Sequence, residues 1–90
     1  MSKFEPVAGP MEVGKILTES GNGAQGIVYG APKAGGQYGH VWNAVNQGGT
    51  IRFLDSQVIR SGVNNASVGL SNFDKFQDFQ FMLTRPGTPP

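Results

Sequence analysis

The clearest alternation of apolar and polar positions lies near the end of the chain. There Phe79, Phe81 and Leu83 interleave with Gln80, Met82 and Thr84, the pattern of a half-buried strand. A different period marks the segment from Pro10 to Ser20. Val13, Ile16 and Leu17 fall on one face at helical spacing, Pro10 suits a first turn, and Gly21 stands at the stop, although Gly14 weakens the helix. Ahead of it, Pro6 and Pro10 bias residues 4–9 toward an extended arm. Ile27-Val28-Tyr29 reads as a compact apolar strand, and residues 32–39, with Gly35, Gly36 and Gly39, as a loop. That loop leads straight into His40. It is a plain surface connection or the rim of a substrate cleft.

Residues 40–57 (HVWNAVNQGGTIRFLDSQ) read as one β-hairpin with a histidine on its first strand and a carboxylate on its second. A two-residue loop at Gln47-Gly48 sets His40 directly opposite Asp55. A loop at Gly48-Gly49 sets His40 opposite Gln57 and keeps Asp55 on the same face as a diagonal neighbour, because side chains alternate with period two. A three-residue loop would part them to opposite faces. Trp42, Ala44, Ile51 and Phe53 share the His40 face in either even register.

Residues 57–69 are polar, with Gly62 and Asn64-Asn65, and read as irregular structure, Val58-Ile59 extending the second strand. Ser71 and Asp74 resemble a capping pair for one helical turn ending near Gln77. Pro86 onward reads as a frayed tail. The chain is then a single domain, 1–90, with an arm at 1–9, a sheet portion at 10–85 and a tail at 86–90. Its class is α+β, with a mainly antiparallel sheet and one or two short helices.

A histidine held by a carboxylate is the base and orienter of a nucleophilic site. The carboxylate accepts the proton of one ring nitrogen and leaves the other free to deprotonate a nucleophile. Imidazole, with an ordinary pKa of about 6.5, exchanges that proton readily near neutrality. On the pairing alone, a half-buried polar His and a strand-end Asp account for the pattern equally well.

The wording of the segment adds to this. GIVYG at 26–30, GHVWNAVNQGGTIRFLDSQ at 39–57 and FQFMLTR at 79–85 resemble the papain-fold toxin family, bacterial polymorphic-toxin domains described as glutamine deamidases. The resemblance runs from about Gly23 to Arg85. It implies a papain-like, cysteine-protease-like arrangement in which an upstream helix carries a Cys and a sheet brings it to the His and Asp. By that resemblance His40 is the base, Asp55 the orienter, and Gln57 fits the polar position that follows the Asp. It also implies a target protein bearing a glutamine, an immunity protein as partner, and secretion or delivery into a target cell as part of a larger toxin.

The chain has no cysteine. A thiolate is what attacks the glutamine carboxamide, and no Ser lies in a recognisable nucleophile context. The chain by itself is therefore expected to be silent. It is either the C-terminal half of such a domain, completed by an upstream Cys-containing segment, or a binding module that kept the fold. In the first case the apolar face around Trp42, Ile51 and Phe53 lacks its covering helix and is expected to drive self-association or tight binding of a separately supplied N-terminal segment. A Trp in mid-strand is otherwise simply core.

Ninety residues make one domain with a thin margin of stability, and fourteen Gly with six Pro make it loop-rich. Seven basic against six acidic residues leave a net charge of +1, spread from Lys3 to Arg85. That supplies no patch for nucleic acid or an anionic membrane. Gly21-x-Gly23-x-x-Gly26 has dinucleotide-like spacing but precedes a strand rather than opening a helix, so it reads as a turn. No cofactor is implied. With no apolar run near ~18 residues and no apolar stretch after Lys3, the chain reads as soluble and without a signal peptide.

Overall fold

The computed structural model of the protein describes residues 3–55 and 69–88. In chain order these form β1 (Glu5–Pro6), α1 (Pro10–Ser20), β2 (Gln25–Pro32), β3 (His40–Gln47), β4 (Thr50–Leu54), a 3-10 turn (Asn72–Asp74) and β5 (Phe76–Arg85). The strands make one sheet in the order β1-β5-β2-β3-β4, with every neighbouring pair antiparallel. The helix packs on one face of that sheet. The α+β class read from the sequence is the class observed.

α1 starts at Pro10 and buries Val13 and Leu17 completely, with Ile16 packed at the margin of the same core. Removing two such side chains from water favours docking by roughly 1.5–3 kcal/mol each. The Gly21 amide closes the helix on the Leu17 and Thr18 carbonyls, both at 3.2 Å. A Cβ at Gly14 would meet only Ile51 Cγ1, at 3.8 Å, an ordinary contact. Gly14→Ala is therefore expected to raise stability by about 0.5–1 kcal/mol, the cost of a mid-helix glycine. Urea unfolding followed through Trp42 fluorescence checks it.

The extended arm is an edge strand. Glu5 pairs with Phe81, Pro6 with Gln80, and the Val7 amide donates to the Phe79 carbonyl at 3.0 Å. The apolar strand expected at 27–29 is longer, because β2 is central and laddered on both sides. Gly21 and Gly23, at φ 105° and 89°, turn the chain from α1 toward β2, while Gly26 lies within β2 itself.

Phe79, Phe81 and Leu83 do face the core. Phe76, three residues before Phe79, joins them there only because the β2–β5 ladder slips between Tyr29/Gln80 and Ala31/Gln77, with Asp78 at φ 50°. The extra residue reverses the alternation, as a β-bulge does. The helical turn expected to reach Gln77 stops earlier, since β5 has begun by Phe76, and Ser71 makes no side-chain capping bond to the turn. Residues 69–71 are helical rather than irregular at Gly69. The strand extension at Val58-Ile59 and the turns at Gly62 and Asn64-Asn65 lie outside the described residues.

Residues 86–88 are not a frayed tail. Thr88 exchanges two backbone hydrogen bonds with Asn22, at 2.8 and 3.0 Å, and the Gly87 amide donates to the Ser20 carbonyl, so residues 87 and 88 are stitched to the α1–β2 turn.

The exposed patch expected around Trp42 is not present either. Trp42 is 2% and Phe53 7% exposed, and Ile51 is half-buried. The cover comes from within the chain: Phe73, Phe76 and Phe79 surround the Trp42 ring at centroid distances of 5.2, 6.0 and 6.3 Å, and α1 packs on β3 and β4. This removes the stated reason for self-association.

The hairpin register is held by its turn. Gln47 pairs with Thr50, leaving Gly48 and Gly49 as the two-residue loop at φ 63° and 95°, the left-handed values that a tight hairpin turn of this hand needs at both positions. Asn46, 3% exposed, locks that loop to the helix. Its Oδ1 accepts from the Gly49 amide at 2.7 Å, while its Nδ2 donates to the carbonyls of Leu17 (3.2 Å) and Gly21 (3.0 Å). The Gly48 amide is held by Asn22 Oδ1 at 2.6 Å.

Candidate functional site

The Gly48-Gly49 loop selects the second of the two even registers. His40 is the first residue of β3 and pairs with Gly30 of β2; Asp55 follows Leu54, whose partner across the hairpin is Asn43. The two are diagonal neighbours on the inner face, and the geometry brings them together, with His40 Nε2 2.7 Å from Asp55 Oδ2. The carboxylate side chain is 2% exposed and the imidazole 19%, so the acid is dry while the ring keeps one margin toward solvent. Gln57 lies outside the described residues.

Aromatic packing fixes the plane of the imidazole. Trp42 and Phe76 lie nearly parallel to it, at 5.9 Å and 22° and at 5.6 Å and 23°, and they touch each other at 6.0 Å. The three rings form a triangle rather than a sandwich. Among the described residues the buried Trp42 Nε1 donor has no hydrogen-bond partner, a cost of roughly 1–3 kcal/mol set against the packing of Phe73, Phe76 and Phe79 around the ring.

With Nε2 directed at the carboxylate, Nδ1 is the nitrogen left to accept a proton. Such a pair can hold an imidazolium and return its proton, the requirement of a general base that later acts as an acid.

Sequence reasoning missed Asn72. Its side chain is buried, 3% exposed, and its Nδ2 donates to Asp55 Oδ2 at 2.9 Å. The one local signal in this stretch, the Ser71 and Asp74 spacing, pointed at the residues on either side of it. Nothing in a linear pattern couples Asn72 to a carboxylate across a long intervening segment.

The loop that precedes His40 is exposed from 33 to 38, with Tyr38 79% exposed. It is tied near its start by Lys33 Nζ, which donates to the Asp74 carbonyl at 2.7 Å. Among the described residues no three His, Asp or Glu side chains are grouped to hold a metal ion, and no helix is long and apolar enough to cross a membrane.

A protein family described as papain fold toxin 1, glutamine deamidase, matches residues 2–58. No curated protein and no solved structure matches the chain. The matched span holds α1, the hairpin and the residues His40, Asp55 and Gln57, and it ends before the 3-10 turn and β5. Residues 79–85, which the sequence resemblance includes, lie beyond it. Because the match takes in more than half of the 90 residues, the chain belongs to the papain fold toxin 1, glutamine deamidase family.

Proposed function

We propose that this chain contributes the base and orienter of a papain-like, cysteine-dependent glutamine deamidase, a toxin domain delivered into a target cell within a larger protein. The observation that carries the reading is the 2.7 Å contact between His40 Nε2 and the buried Asp55 carboxylate, within the span that the family covers.

In this reading His40 Nδ1 takes the proton of a cysteine thiol supplied from outside these 90 residues. The thiolate attacks the carboxamide carbon of a glutamine in a target protein. His40 then gives its proton to the departing nitrogen, which leaves as ammonia, and a thioester remains. Water, deprotonated by His40, attacks the thioester, so glutamate and the thiol are released. Asp55 stays ionised and supports the imidazolium at each stage. Gln57, next but one after Asp55, is assigned to the oxyanion side of the site. Since Trp42 is already covered, the incoming thiol segment docks at the solvent margin of His40 rather than over the sheet. An immunity protein that occludes that margin is the natural antagonist.

The second reading, a binding module without catalysis, is favoured by two facts: the chain has no Cys and its core is closed. Ammonia release separates the readings. The 90-residue chain alone is expected to release none from glutamine-bearing proteins, and the chain joined to the Cys-bearing helix of a family member is expected to convert glutamine to glutamate, seen by mass spectrometry. Turnover by the chain alone would overturn the assignment of an external thiol. A folded, thiol-bearing fusion that binds proteins without converting them would establish the binding module.

A further inference from the structure

We propose that Asn72, outside the family-matched span, is a positioning residue that decides which nitrogen of His40 carries the proton. The inference rests on the reading of His40 and Asp55 as base and orienter. It concerns their proton rather than the reaction.

Two nitrogens converge on one oxygen. Asp55 Oδ2 lies 2.7 Å from His40 Nε2 and 2.9 Å from Asn72 Nδ2. An amide nitrogen can only donate, so Asn72 commits Oδ2 to accept. A proton resident on that oxygen would compete with the amide hydrogen for the same lone pairs. The proton shared with His40 therefore sits on Nε2, and Nδ1 keeps its lone pair. Asp55 is 1% and Asn72 3% exposed, so water does not substitute for the amide. In such a dry setting each hydrogen bond is stronger and each missing one more costly.

The turn that presents Asn72 is fastened from three sides. A Cβ at Gly69 would collide with the Phe53 carbonyl and the Leu54 nitrogen, so glycine there lets the chain lie directly on the end of β4, beside Asp55. Phe73 stands edge-on to both Trp42 (5.2 Å, 82°) and Phe53 (5.1 Å, 79°). Lys33 Nζ holds the Asp74 carbonyl at 2.7 Å. A carboxamide held this firmly against one carboxylate oxygen limits rotation of Asp55, and through Asp55 that of the imidazole.

His40 is the sole histidine, so nitrogen NMR of the 90-residue chain reads one imidazole without assignment by mutation. In the neutral ring the Nε2–H tautomer is expected alone. In Asn72→Leu and Asn72→Ala a mixture of both tautomers is expected. In the thiol-completed protein these variants should lower kcat by on the order of 10- to 100-fold with little change in KM, the usual cost of losing a group that orients a working side chain. A folded Asn72 variant with the wild-type tautomer overturns the proposal, as does a wild-type chain in the Nδ1–H form. Should neither variant fold, the Asn72 side-chain amide of the wild type decides. Slow exchange with solvent, and a displaced resonance in Asp55→Asn, support the proposal; exchange at the rate of an exposed amide overturns it. The tautomer is read without turnover, so an inactive completed protein counts against the deamidase reading alone.

Discussion

Asp55→Asn in the thiol-completed protein is expected to lower glutamine deamidation by roughly 10⁴-fold, the loss seen when the carboxylate of a nucleophilic triad is neutralised, with the fold retained. Asn has nearly the same shape as Asp, so the packing of Trp42, Phe73 and Phe76 has no reason to change, and Trp42 fluorescence should report the native core. What changes is the atom facing the two donors. If the new side chain turns its oxygen to His40 Nε2 and Asn72 Nδ2, both hydrogen bonds survive but the negative charge that supports the imidazolium is gone. If it turns its amide there, donors face donors, and the imidazole moves its proton to Nδ1, the nitrogen the thiol needs. The first outcome weakens the base and the second removes it. Single-turnover measurement of ammonia release, with circular dichroism to certify the fold, checks it. An unimpaired Asp55→Asn enzyme would show that the carboxylate only ends a strand.

The largest effect on stability is expected at Asn46. Asn46→Leu keeps the branched outline of the side chain but deletes the bonds to the Leu17 and Gly21 carbonyls and to the Gly49 amide. Each such bond is worth about 0.5–1.5 kcal/mol net, and because the Leu17 and Gly21 carbonyls keep the Gly21 and Ala24 amides as donors, the cost is that of the three bonds themselves. A loss of about 3 kcal/mol follows. A domain of this size holds only about 5–15 kcal/mol in total, and the melting temperature should fall by more than ~10 °C. Asn43→Leu, on the exposed face of the same strand, serves as control and should move stability by no more than about 0.5 kcal/mol. Equal effects at the two positions would mean that the helix end and the hairpin turn are not coupled through Asn46. Because that coupling also holds the Gly48-Gly49 loop, Asn46→Leu should loosen the His40–Asp55 contact at the far end of the hairpin, visible as broadening of the His40 ring resonances.

What the chain order alone determined is local and periodic. The spacing of Val13, Ile16 and Leu17 between Pro10 and Gly21 specifies α1 almost to the residue, since capping and amphipathicity act within a few residues. The alternation of Phe79, Phe81 and Leu83 specifies the face of β5. Parity alone places His40 and Asp55 on one face for any two-residue loop, so the candidate pair was legible without a structure. Which loop the hairpin uses was not legible. Gln47-Gly48 and Gly48-Gly49 both satisfy the linear pattern, and the second is fixed by left-handed φ at both glycines together with Asn22 and Asn46, whose side chains accept from the Gly48 and Gly49 amides.

The tertiary structure alone decided the rest. The bulge at Asp78 that turns Phe76 inward, the bridge from Thr88 to Asn22, the closing of Trp42 by aromatic side chains of the C-terminal segment, and the donation from Asn72 to Asp55 all join residues far apart in the chain. A periodic pattern states which face a side chain takes. It does not state which distant partner arrives there, because that partner is chosen by the fit of the whole sheet and its covering layer.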